Sequence, residues 1–273
     1  MAALFRYRDA ELYSHHSLDE RPEQSHFPMH THEWMEIFYF VSGKGSYWVE
    51  GTEYPLQPHD ILIMRAAESH TLVIAEDEPY ERIAFHFSPT LLTEFDPEGK
   101  LLRPFLNRPL GQRNRYAAEK GGAERLRMAF LEFSFENVPD VRLNLLARLL
   151  LFLTTLRSIY EQEMPLRLPS HTPQNRIVAY VNEHLFEGDL SVQTVAKRFY
   201  RSPSQIARSF QQATGASLWR YVTIKRLMAA RAMIQRGEKA TEACAVCGFS
   251  DYSTFYRAYC SRFGHSPKED AFR

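Results

Sequence analysis

The apolar residues of this chain change their spacing twice along its length. From Arg6 to about Phe87 they fall in short β-branched and aromatic runs, Ile37-Phe38-Tyr39-Phe40-Val41, Ser46-Tyr47-Trp48-Val49 and Ile61-Leu62-Ile63-Met64, broken by Ser42-Gly43-Lys44-Gly45, Gly51 and Pro58. Short runs between turn residues predict a small antiparallel sandwich or barrel. From Ala123 to about Glu163 the period becomes helical, and two helices are expected. Leu145, Leu149, Phe152, Leu156 and Ile159 lie four, three, four and three residues apart and draw one seam down the second helix. Leu146, Leu150 and Leu153 flank that seam, so the helix is apolar over more than one face. It is expected to cover the barrel and, through the seam, to join a second copy into a homodimer, with a plain core helix as the alternative. Next comes Pro165-Leu166-Arg167-Leu168-Pro169-Ser170-His171-Thr172-Pro173, whose three prolines cannot continue a helix and read as a linker. Beyond it nearly everything is helical in period, with starts at Asp189-Leu190-Ser191 and Ser202-Pro203 and stops at Gly188, Gly215, Gly237, Gly248 and Gly264. The expectation is a two-domain α+β chain: residues 1–164 (barrel about 6–90, helices about 121–163), a linker at 165–173, and an all-helical domain at 174–273.

Composition adds a partner to this picture. The 273 residues carry no net formal charge, yet residues 170–273 hold 15 Lys/Arg against 8 Asp/Glu and residues 1–169 hold 18 against 25, so the halves are +7 and −7. A basic segment tethered to an acidic one predicts a polyanion partner for the second half alone. No run reaches the ~20 uninterrupted apolar residues of a membrane span, and Met1–Ala10, with Arg6, Arg8 and Asp9, does not read as a secretory signal. A cytoplasmic protein with no membrane partner is expected. Cys244, Cys247 and Cys260 are an odd count without a disulfide framework, and Cys244-x-x-Cys247 lacks the further ligands of a zinc site, so these cysteines read as core.

The basic half carries the polyanion chemistry. Leu190 to Phe210 reads as helix, tight turn, helix. Ser202 suits the cap and Pro203 the first turn of the second helix, Ile206 and Phe210 face inward, and Ser204, Gln205, Ala207 and Arg208 are left outward. A helix fits the B-DNA major groove, where Arg reads guanine and Gln reads adenine. The arrangement recurs from Ala243 to Tyr259 around Gly248, with Trp219 to Gln235 as one helical run between the copies. Residues 173–273 resemble the double helix-turn-helix domain of the AraC/XylS family of bacterial regulators, through Leu190 to Ala196, Gly215 and Ser217, Arg226-Leu227 and Ala230, Gly248-Phe249 and Asp251, Phe263-Gly264 and Ser266-Pro267. The resemblance implies double-stranded DNA as partner, recruitment of RNA polymerase as a compatible role, and base contacts at Ser204, Gln205, Ala207 and Arg208 in the first unit and Tyr252, Ser253, Tyr256 and Arg257 in the second. Ala240 and Ala243 are smaller than the family's usual aliphatic residues, Tyr259 stands for its usual phenylalanine, and the chain end after Pro267 lacks the usual aromatic-arginine pair.

The acidic half carries a histidine pattern. His30-Thr31-His32-Glu33-Trp34-Met35-Glu36, with Gly43 seven residues on, resembles the first cupin motif, and His70 adds a fourth donor. Strand alternation would put His30 and His32 on one face, and imidazoles plus a carboxylate suit iron, zinc, nickel or manganese. A metal there would support oxygenase or isomerase chemistry, an enzyme reading for the chain. Arg65-Ala66-Ala67-Glu68-Ser69-His70 lacks the proline and glycine usual before that histidine in metal-binding cupins. The stretch is more similar to the cupin-like sensing domain of AraC/XylS regulators, as are Pro58-x-Asp60 and Phe85-His86-Phe87. That resemblance implies a barrel holding a small polar effector, such as a sugar, without a cofactor. The expected effector-binding residues are His30, His32, Trp34, Glu36, Tyr39, Trp48 and His70, no residue is assigned a catalytic role, and no metal is assigned, with His30, His32, Glu36 and His70 as the donors should one be held.

Overall fold

The computed structural model of the chain describes residues 2–118, 121–131, 139–163 and 173–270. The first half is β-rich: β1 (Ala2–Arg8), β2 (Leu12–Asp19), β3 (Met35–Ser42), β4 (Gly45–Val49), β5 (Thr52–Pro55), β6 (Ile61–Met64), β7 (His70–Ile74) and β8 (Tyr80–Phe87). A single helical turn α1 (Arg103–Leu106), the short strand β9 (Arg115–Tyr116) and helices α2 (Gly121–Leu131) and α3 (Val141–Glu163) follow. β1, β2, β8, β3, β6 and β9 pair in that order as one sheet, and β5, β4 and β7 as a second. The strands begin earlier than expected, at Ala2, and β9 lies well beyond the expected end of the barrel. Its two residues pair with Ile61 and Leu62, a fragment too short for any periodicity to show.

Both faces of β3 are buried, which explains its unbroken apolar run. Phe38 and Phe40, with Leu62 and Met64 of the neighbouring β6, face the second sheet, whose Tyr47, Val49, Leu72 and Ile74 complete the filling of the barrel. Ile37 and Tyr39 join Ile61, Ile63, Phe85 and Phe87 in a second layer under α2 and α3. Leu145, Leu149, Phe152, Leu156 and Ile159 all belong to that layer and are no more than 4% exposed. The expected dimer seam is therefore core. The outer face of the larger sheet is itself apolar and supplies the partner surface, which periodicity within the helix has no means of identifying. Length and composition alone would let α3 cross a membrane, but this seam is spent on the sheet. Leu143 and Leu151 are its exposed leucines.

The second half is helical: α4 (Pro173–Glu183), α5 (Val192–Phe199), α6 (Pro203–Thr214), α7 (Leu218–Gln235), α8 (Ala240–Val246), α9 (Tyr252–Phe263) and the turn α10 (Pro267–Asp270). The expected linker lies outside the described residues except for Pro173, which opens α4. Ser191 and Ser202 cap α5 and α6 with reciprocal capping boxes, and Asp251 accepts the Thr254 amide at the start of α9. Gly215 and Gly264 end α6 and α9 in the left-handed conformation. One core joins α4, α5, α6 and the start of α7, and another joins the end of α7 to α8 and α9. Arg226, on α7 and 4% exposed, ties the two together. Its guanidinium donates to the carbonyls of Leu185 (2.8 Å), Glu187 (2.7 Å) and Gly248 (2.6 Å). Gly248 has φ +77°, and a Cβ there would lie 2.5 Å from the Phe186 carbonyl oxygen, so only glycine fits this turn.

Candidate functional site

Strand parity builds the sensing cavity. On β3 the even residues Glu36 and Phe38 face the barrel interior, and on β8 Arg82, Ala84 and His86 do the same. With Arg8, Tyr13, His15, Phe27, Tyr47 and Trp34 these line an open cavity of about 530 Å³ that also reaches His30 and His32. Three of the expected effector residues do not line it: the buried His70, which stands behind the wall against His30 and Glu36, and two residues that lie elsewhere altogether. Tyr39 has odd parity on β3: it stacks on Phe130 and its hydroxyl bonds His59 Nδ1 at 2.7 Å in the layer under α2. Trp48 faces outward from β4 and packs against the core of the helical half. Both errors have one cause, since an aromatic run buried on two faces does not announce which residue faces which. Arg8, His15, Arg82 and His86 were missed because they sit on β1, β2 and β8, strands distant in sequence that the sheet order β1-β2-β8-β3 alone brings beside β3.

His30 and His32 do not lie on a strand. His30 forms an isolated bridge with His70, and His32 precedes β3, yet both rings reach Glu36 and His70. His32 Nε2, His70 Nε2 and His86 Nε2 stand 2.7, 3.2 and 3.4 Å from Glu36 Oε2, and His30 Nε2 stands 3.0 Å from His70 Nε2. Burial opposes charge on Glu36, but the imidazoles of His86, His70 and His32 outweigh it and hold the carboxyl well below its usual range. Burial also works against a charged His70, and Glu36 outweighs that too, raising the ring. His15, farther up the cavity, is pushed down to about 3 by burial and by Arg82.

The residues expected to meet DNA are exposed on two helices. Ser204, Gln205, Ala207 and Arg208 open outward from α6, and Tyr252, Ser253, Tyr256 and Arg257 from α9. Gln205 also serves the cap of its own helix. Its side-chain oxygen accepts the Ser202 amide at 3.0 Å, so in this rotamer only its NH2 is left to read a base. The bidentate pairing of glutamine with adenine needs both groups. Cys244 and Cys247 are buried, and burial pushes the Cys247 thiol up to about 11, which makes both packing residues rather than nucleophiles or ligands.

A β-rich half with an open cavity joined to two helix-turn-helix units defines a DNA-binding regulator with a ligand-binding domain. The chain belongs to the AraC family of transcription regulators. A model of the AraC-like ligand binding domain matches residues 17–118, and a helix-turn-helix domain model matches residues 195–271. The chain is 23% identical over 256 residues to the HTH-type transcriptional activator RhaS of Shigella sonnei, covering 93% of this chain and 90% of that one. It is 22% identical over the same length to RhaS of Escherichia coli O139:H28. Among solved structures it is similar to ToxT from Vibrio cholerae O395, at 12% identity, 97% coverage of this chain, 98% of that chain and a TM-score of 0.38. The family regulates transcription, and the enzyme reading falls with this assignment.

Proposed function

We propose that the protein is a sequence-specific, cytoplasmic regulator whose grip on DNA responds to a small polar effector held in the N-terminal cavity. The observation that carries this reading is the placement of the two recognition faces. Both stay exposed while the sensing half packs against other surfaces of the same helices, so that half is positioned to change the relative setting of α6 and α9 without covering either. The basic charge of the helical half suits the phosphates, and Arg208 and Arg257 are the guanine readers. In the cavity, Arg8, His15, Arg82 and His86 beside Trp34, Phe27 and Tyr47 suit an effector with hydroxyl or carboxylate oxygens on an apolar face, such as a sugar or sugar acid. The relatives are named as activators, and activation is the output we extend to this chain. Selection of bound duplexes from a random pool by the full-length protein, at stated salt, tests the reading. Two short motifs about one helical turn apart are expected, and no enrichment over background overturns it.

A further inference from the structure

We propose that His30, His32, Glu36 and His70 form a binding site for one divalent transition-metal ion, and that the ion sets the chain segment that latches the sensing half to the second helix-turn-helix unit. This deepens the reading of the cavity as a sensing site and rests on it.

The protons of the cluster have fixed places. Nδ1 of His30 meets the Pro28 carbonyl at 3.0 Å, Nδ1 of His32 meets that of Trp34 at 2.9 Å, and Nδ1 of His70 meets that of Glu68 at 2.8 Å. A carbonyl only accepts, so each of these nitrogens carries a proton, and Nε2 is the atom each ring turns inward, free to ligate once any proton on it is displaced. Three Nε2 atoms and a carboxylate then converge, with all four donor atoms within 4.8 Å of one another. Such a set coheres only around positive charge. Three imidazoles and one carboxylate, each ring oriented from behind by a backbone oxygen, are what a zinc, nickel, iron or manganese ion takes. Donors at about 2.0–2.2 Å from one ion lie about 3–4 Å apart, and the donors here stand 2.7, 3.0 and 3.2 Å apart at their three closest contacts and within 4.8 Å overall, so small side-chain shifts suffice. His30, on the exposed side, gives the ion its way in, and the neighbouring cavity leaves coordination positions open for an oxygen-bearing effector. This replaces the expectation of a metal-free pocket, which had rested on the residues missing before His70.

The residues between the ligands reach the DNA-binding half. Thr31 sits between His30 and His32, and its carbonyl accepts from Arg262 of α9 at 2.5 Å. Glu33, next to His32, pairs with Arg231 of α7 at 2.5 Å, and Arg231 also holds Asp270 of α10 at 2.8 Å. Behind His70, the Ser69 amide donates to Glu50 at 2.7 Å, and Glu50 receives Tyr221 and Lys225 of α7. Along the chain, then, ligands alternate with contacts to the helical domain. An ion that fixes His30 and His32 fixes Thr31 and Glu33 in the latched position. Linkage requires the converse, that an intact latch tightens the ion.

The test uses the untagged full-length chain stripped with chelator and titrated with cobalt(II) or zinc chloride. One ion per chain, with the visible absorption of cobalt in a nitrogen and oxygen donor set, is expected, and His30→Asn should weaken binding at least tenfold. An unchanged spectrum on titration, with no ion retained through desalting, overturns the site. Hydrogen exchange then reads the latch. Zinc should slow amide exchange in residues 30–36 and also in 252–270 of the wild type. In the Arg231→Gln, Arg262→Gln double variant the slowing should persist at 30–36 and vanish at 252–270, and zinc affinity should drop several-fold, within the roughly 5- to 150-fold range of ordinary coupling. Zinc that binds without changing exchange at 252–270 in the wild type overturns the latch. No arm uses DNA, so failure here and failure of the duplex selection are separate results.

Discussion

The two helix-turn-helix units share a plan and differ in how they are held. The first, α5 and α6, is clamped by apolar packing: Met29 and Trp48 of the sensing half join its core, and a Cβ on Gly51 would lie 2.8 Å from Val178 of α4. Both of its helices carry full capping boxes. The second, α8 and α9, is built around smaller residues, Ala243, Cys244 and Cys247, and α8 starts at Lys239 without any side-chain cap. Its contacts to the sensing half run through Arg262 to Thr31 and through the Arg231–Glu33 pair, with Asp270 behind it. Apolar packing is broken only by opening a core, whereas part-exposed ion pairs exchange readily with water. The first unit is thus built as the fixed reader and the second as the adjustable one. Arg226 is the part that keeps them in register.

The largest effects should expose that asymmetry. Phe210→Ala removes a fully buried ring from the first unit and should cost about 3–5 kcal/mol in denaturant unfolding. Because that core includes Met29, protection should fall in the sensing half as well. Phe255→Ala should cost a similar amount in the second unit but leave exchange in β7 unchanged. Equal spread of the two effects would erase the distinction. Next in size is Arg226→Met, which strands three carbonyls and should cost roughly 3 kcal/mol. Its telling readout is DNA geometry: the duplexes selected by the variant should retain each short motif and lose the fixed spacing between them.

How far the sequence revealed this arrangement follows from the range over which each signal acts. Ser191, Ser202-Pro203, Gly215 and Gly248 act within one turn of chain, and all mark real caps or turns. The histidine spacing likewise led to a real cluster, although by an irregular segment and a bridge to β7 rather than by alternation along a strand. Tyr39, Trp48 and the Leu145 to Ile159 seam failed together because each is an apolar residue whose partner lies far away in sequence. In the sequence His86 is no more than the middle of the Phe85-His86-Phe87 strand pattern, and its place beside Glu36 comes from the pairing of β3 with β8, which places the two residues directly opposite. The interdomain contacts of Glu33, Glu50, Arg231 and Lys225 left no local trace at all, since a charged residue reads the same whether solvated or paired.

A smaller effect concerns the reading surfaces. Arg208→Ala and Arg257→Ala should each weaken binding to the selected duplex by roughly 1–3 kcal/mol while leaving scrambled DNA almost unaffected. The difference between the units sharpens this. Loss of Arg208 should shift affinity by nearly the same factor with and without zinc, because its unit is held by apolar packing rather than by the contacts of Thr31 and Glu33. Loss of Arg257 should reduce the zinc response, because its contact is the one the latch positions. Parallel responses of the two variants, measured by titration of labelled duplex, would mean the units move as one.

The smallest effect is the cleanest test of the second unit's looser build. Lys239 has the extended backbone of a cap residue, φ −69° and ψ 139°, but no side-chain oxygen to accept the first amides of α8. Lys239→Asp supplies that oxygen and a negative charge at the helix start, and should stabilise the unit by about 1 kcal/mol. The residue is exposed, and among the described residues no contact of its side chain opposes the change. A gain of stability should come with a loss of adjustability: hydrogen exchange in α8 should slow and its response to zinc should shrink. A stabilised α8 that responds as fully as the wild type would place the adjustable element in the latch alone and leave the missing cap without a role in it.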